Sequence, residues 1–201
     1  MKQHGEPVTT AAWATDGQTF VTGSLDLKAP LCIWSLEVPT PNHSPIYNFR
    51  DNCSRVQDCA FSTITSPFMQ PDSTYAQNSS MNPTPTTVLT RLIAVCTDRT
   101  IDIFDYARRE KLSHIAMDHE ITCLSIARDG HEMLVNLSCD EIWAMRVWDC
   151  EVVQKFRGQK QGHFVIRNCL GGAREGFVVS GGEGMFASKL VVPVNMVTVL
   201  C

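Results

Sequence analysis

The sequence predicts an all-β chain: an incomplete β-propeller of about four blades, each an antiparallel four-stranded sheet, with the last blade irregular. Three observations predict it. An apolar strand runs three times into an Asp-bearing turn and on to a strand ending in an aromatic: Phe20 to Asp26 and Ile33-Trp34, Leu92 to Asp98 and Ile103-Phe104, Met133 to Asp140 and Val147-Trp148. The step from Phe104 to Trp148 is 44 residues, the period of a blade that buries its faces only against copies of itself. Helical periodicity, by contrast, persists for three turns nowhere.

Each blade opens with a strand holding apolar residues five apart: Val8 to Trp13, Val56 to Phe61, Ile121 to Ile126 and Val165 to Leu170. Odd spacing places apolar groups on both faces, which suits a sheet covered on both sides. Asp16-Gly17 and Asp129-Gly130 supply tight turns after the first strands. The propeller arc is expected over 1–184, with blades at about 4–36, 46–105, 112–149 and 153–184. Glu37 to Pro45 carries three prolines and reads as a crossing between blades. Residues 62–87 hold four prolines and one charged residue, and read as a disordered insertion within a hairpin. Removing those 26 residues brings the spacing from Trp34 to Phe104 from 70 to 44.

The fourth unit starts with Phe164-Val165-Ile166 and Phe177-Val178-Val179, then loses the pattern after Gly184. Residues 185–201 form a divergent tail without Trp or an acidic residue. Two readings stand for it: an improvised strand, or a product of aberrant splicing or gene modelling. A ring of seven or eight blades needs roughly 300 residues, so the expectation is an open arc or, preferably, a fragment of a longer parent.

Seventeen basic and twenty-one acidic residues leave a net charge of −4 with no long basic run, which disfavours nucleic acid as a partner. The nine cysteines are odd in number and lack C-x-x-C spacing. Cys32, Cys59, Cys96, Cys123 and Cys169 fall in apolar strand patterns, as reduced, buried thiols do. With no signal-peptide pattern and no apolar run long enough to span a bilayer, the expected location is cytoplasmic and/or nuclear, with no membrane partner. The six histidines show no metal-ligand spacing, and H-E-x-x-H, G-x-x-x-x-G-K and G-x-S-x-G are missing. No catalytic, cofactor-binding or metal-binding residue is therefore expected, and no cofactor. Asp26, Asp98 and Asp140 read as caps of the turn between second and third strands, and Trp34, Phe104 and Trp148 as core anchors. Trp143, Arg146, Arg167 and Arg174 are the candidate partner contacts, since aromatics and Arg concentrate at interface hot spots.

The segments Leu134 to Leu137, Val147-Trp148-Asp149, Val153 to Gly158, Gln161 to Arg167, Cys169 to Gly172 and Phe177 to Gly181 resemble the middle blades of the WD-repeat subunits of GID/CTLH ubiquitin-ligase complexes. Glu6 to Thr10 and Gly23 to Asp26 are similar to an earlier blade of that family. The resemblance implies a complete propeller behind a LisH–CTLH helical region in the parent. It also implies a scaffold or substrate-recruiting role, with ligase subunits and their substrates as partners and catalysis in other subunits. The alternative is a generic WD-repeat scaffold in signalling or transcriptional corepression.

Overall fold

A computed structural model describes residues 4–37, 44–50, 53–67, 86–162, 164–183 and 188–191. The first sheet runs β1 (Val8–Trp13), β2 (Thr19–Ser24), β3 (Leu31–Ser35), β4 (Tyr47–Asn48). The second runs β5 (Val56–Pro67), β6 (Thr86–Cys96), β7 (Thr100–Asp105), β8 (Glu110–Ala116). The third runs β9 (Ile121–Ile126), β10 (Glu132–Leu137), β11 (Glu141–Arg146), β12 (Val152–Arg157). The fourth has three described strands, β13 (Asn168–Gly171), β14 (Phe177–Ser180) and β15 (Ser188–Val191). Every neighbouring pair is antiparallel and consecutive in the chain. Among the described residues no helix is long and apolar enough to cross a membrane.

The sheets stack face to face, and the alternation of side chains along each strand explains how. In β6, Leu92, Ala94 and Cys96 pack with Val21, Leu31, Ile33 and Phe49 of the first sheet. The residues between them, Ile93 and Val95, point the other way onto Leu124, Met133 and Val135 of the third. Leu134, Ile142 and Ala144 continue the series toward Val178 of the fourth. An interior sheet is thus apolar on both faces, and each fully buried Leu, Ile or Val contributes roughly 1.5–3 kcal/mol. β1 meets β5, β5 meets β9 and β9 meets β13, so the first strands lie nearest the axis of the stack. Gly23 of β2 permits the close approach of the first two sheets. A Cβ there would stand 2.5 Å from Val56 Cγ1 and 2.7 Å from Thr10 Cγ2.

Four sequence expectations are corrected. Ser62 to Pro67 and Thr86-Thr87 are strand, paired from Ser62↔Arg91 to Pro67↔Thr86. Thr and Ile alternate there, and β-branched residues favour the pleated ladder over a loop. The expected insertion is thereby narrowed, and residues 68–85 lie outside the described ones. The fourth strands β4, β8 and β12 extend each sheet past 36, 105 and 149, the expected blade ends. Val165 is not in a strand, because β13 begins at Asn168. Cys169 is exposed, not buried.

The tail supplies β15, which pairs with β14 from Ser180↔Ser188 to Phe177↔Val191. Ser188–Val191 of the tail thus pair as a strand, and the rest of it lies outside the described residues.

The third repeat is out of step with the sequence expectation. Phe20 faces Trp34, Leu92 faces Phe104, and Met133 faces Met145. Two residues beyond each, Leu36, Tyr106 and Val147 donate backbone N–H bonds to Gln18, Thr90 and His131. Met145 therefore holds the position of Trp34 and Phe104, and the step from Phe104 is 41 residues, not 44. Trp148 lies in the turn after β11 and is 59% exposed. The turn is as long as that of the second sheet, since Asn136 pairs with Ile142 as Val95 pairs with Ile101, so β11 ends at Arg146 where β7 ends at Asp105 and Trp148 falls beyond the strand. Asp140 at φ +64 then matches Arg99 at φ +66, while Cys150 at φ +61 matches Arg109 at φ +60.

Candidate interaction face

The turns between second and third strands share one end of the stack with the connections leading into the first strands. Leu25, Thr97 and Ser138 donate backbone N–H bonds to Pro7, Arg55 and Glu120 just ahead of β1, β5 and β9. By that register Asp26 and Asp98 are equivalent, and Cys139 fills the third place. Asp26 accepts from Gly5 N at 2.7 Å and Lys28 N at 2.8 Å. The Gly5 and then the Lys28 N–H groups hold its carboxyl below the ordinary value. Asp98 takes the Thr100 hydroxyl at 2.7 Å.

Beside Asp26, Trp34 Nε1 donates to Thr22 Oγ1 at 2.8 Å, and His4 Nε2 lies 2.7 Å from the same oxygen. His4 Nδ1 stands 2.7 Å from Ala29 O, which only accepts. In the neutral ring Nδ1 therefore carries the proton, and Nε2 accepts from the Thr22 hydroxyl. This chain of bonds ties the leading segment to β2 and β3 in the first sheet. Phe104 and Met145 have no ring N–H, so the other two sheets rely on apolar packing at that position.

Near the axis, buried Asp58 joins three sheets and a connection. Its Oδ1 accepts from Thr10 Oγ1 at 2.7 Å and Cys59 N at 2.9 Å. Its Oδ2 accepts from Leu124 N and Arg167 Nη1, both at 3.2 Å. The carboxylate is thus held by β1, β5, β9 and the segment before β13.

A cavity of about 260 Å³ opens between these turns, lined by Gln57, Thr97, Glu120, Ser138, Gln161 and Phe164 among others. On its rim Phe164 is 74% and Val165 51% exposed. The Phe164 backbone is pinned on both sides: its N–H donates to Glu183 Oε1 at 2.6 Å, and its carbonyl accepts from Gln161 Nε2 at 2.5 Å. Asp140 accepts from Gln161 N at 2.6 Å, so it anchors the connection that displays this ring. An exposed aromatic on a fixed backbone loses little entropy when a partner covers it, which is the character of a hot spot. Sequence reading assigned Phe164 and Val165 to a strand; the Gly and Gln residues around them were the available sign of a loop.

The four candidate contacts do not form one patch. Trp143 donates from Nε1 to Glu141 at 2.8 Å, and Lys155 Nζ sits 3.7 Å from its ring centroid. Arg146 bonds Asp149 at 2.7 Å, pairs with Glu151, and lies over Trp148. Arg167 is near the axis on Asp58, two strands inward from β11. Arg174 lies in the 3-10 turn Ala173–Glu175, with its side chain outside the described atoms. Arg167 adjoins the end of the stack that carries Phe164.

No family model matches the chain. A WD repeat-containing protein of Dictyostelium discoideum is 39% identical over 97 residues, 46% of this chain and 16% of the relative. A WD repeat-containing protein 26 homolog of Arabidopsis thaliana is 38% identical over 97 residues, again 46% and 16%. The GID complex subunit 7 of Schizosaccharomyces pombe is 28% identical over 184 residues, covering 90% of this chain and 31% of its own length. The chain thus spans about a tenth to a third of the length of the curated relatives it matches. Stacked four-stranded antiparallel sheets, consecutive in the chain, make this an all-β, incomplete propeller, consistent with the blades of the WD-repeat proteins it is similar to.

Proposed function

We propose that the chain acts as a non-catalytic interaction module in a WD-repeat subunit of a GID/CTLH-type ubiquitin ligase, assembling the complex or recruiting substrates for proteasomal degradation in the cytoplasm or nucleus. The observation that carries this reading is the similarity to the fission-yeast GID complex subunit 7, which extends over 90% of the chain. The exposed apolar rim of Phe164 and Val165 over a cavity lined by Gln57, Thr97, Glu120, Ser138 and Gln161 supports a binding role, since an apolar anchor beside hydrogen-bonding groups suits a polypeptide partner. Affinity purification of the tagged protein from its source cells tests it. Recovery of RING-type and CTLH subunits is the expected result. Recovery of signalling or corepressor subunits in their place overturns the ligase assignment and leaves a generic WD-repeat scaffold.

A further inference from the structure

We propose that Cys53, Cys96 and Asp102 form a binding site for a thiophilic divalent cation of the zinc type. Among the described residues they are a cluster whose ligand atoms all lie within 4.8 Å of one another. Cys53 Sγ is 3.4 Å from Cys96 Sγ, and Cys96 Sγ is 3.9 Å from Asp102 Oδ2. Bonds of about 2.3 Å to sulfur and 2.0–2.2 Å to oxygen in a tetrahedron require edges of this size.

The two carboxylate oxygens are already divided between tasks. Lys111 Nζ at 3.0 Å and His114 Nδ1 at 2.6 Å both hold Oδ1, which leaves Oδ2 turned toward the sulfurs. That is how outer groups fix a one-oxygen metal ligand. Charge balances as well: a dication, two thiolates, one carboxylate and the Lys111 ammonium sum to zero. Binding would release the two thiol protons to solvent, and water would fill the fourth position. Cys96 and Asp102 are buried while Cys53 is half-buried, so the ion has a route in beside Cys53. Cys53 precedes β5, Cys96 ends β6 and Asp102 lies in β7, so the ion would clip the connection from the first sheet onto the second.

The test uses the full chain, purified without chelators. Elemental analysis should find one zinc per chain, and cobalt added to the stripped chain should produce a thiolate-to-cobalt charge-transfer band. Cys53→Ser, at the half-buried position, should abolish that band with the circular dichroism unchanged. His114→Ala should weaken zinc binding about 10- to 100-fold, as loss of an outer-shell partner does. A folded wild-type chain with no stoichiometric zinc and no cobalt band overturns the site. Recovery of Cys53 and Cys96 only as a disulfide, even under reducing preparation, overturns it equally.

Discussion

Asp58 and Arg167 stand 109 positions apart in the chain, and their charged atoms are 3.2 Å apart beside the stacking axis. The two partners are unequal. Asp58 is buried and takes hydrogen bonds from Thr10, Cys59 and Leu124, while the Arg167 side chain is 62% exposed. Asp58→Ala should lower stability by about 2–4 kcal/mol, because it strands buried donors in three strands. Arg167→Ala should cost about 1 kcal/mol or less, the value of a solvated ion pair. Urea denaturation of the two variants checks the asymmetry, and equal losses contradict it.

The register of the third sheet makes opposite predictions for two neighbouring residues. Met145 is buried in the cluster between second and third sheets, so Met145→Ala should cost about 2–5 kcal/mol. Trp148 touches Arg146 from an exposed turn, and Trp148→Ala should cost less than about 1 kcal/mol. A larger loss at Trp148 than at Met145 restores the 44-residue period.

Thr22 serves two partners and Trp34 serves one. Thr22→Val leaves both the Trp34 N–H and His4 Nε2 without their shared partner and should cost about 1–3 kcal/mol. Thermal melts of Thr22→Val and His4→Ala, alone and combined, should give non-additive losses. Additive losses would mean that the two side chains act separately.

Asp26 gives the first sheet a pH dependence of defined sign. Its folded-state carboxyl is depressed, chiefly by the Gly5 N–H. The stability it contributes is therefore complete above the unfolded carboxyl value of about 3.9 and is lost as pH falls through the lower folded value. Asp26→Asn should be less stable than wild type at pH 7, with the gap closing below about pH 4. Curves that stay parallel through that range contradict the role given to the two N–H bonds.

Phe164 separates binding from folding. Its ring is exposed while its backbone is bonded on both sides, so Phe164→Ala should change stability by less than about 0.5 kcal/mol and reduce partner recovery at least several-fold. Undiminished recovery moves the docking site away from this rim.

The fold class was legible in the sequence because stacked sheets impose a local signature. Leu92-Ile93-Ala94-Val95 is apolar without a break, since both faces of β6 meet a neighbour. Asp26 likewise announced its turn by residue type. The third repeat misled for a local reason too: Val147-Trp148-Asp149 has the composition of a strand end, yet the register sets Met145 opposite Met133 and leaves Trp148 in the turn after the strand.

Repeat order and sheet composition were thus set by contacts between residues close in the chain, whose side-chain periodicity is visible in one dimension. The gathering of Cys53, Cys96 and Asp102 came only with the folding of the second sheet, and the bond from Asp58 to Arg167 only with the stacking of one sheet on the next. Cys53 meets Cys96 across 43 positions and Asp58 meets Arg167 across 109, and no spacing motif encodes distances that arise from tertiary packing.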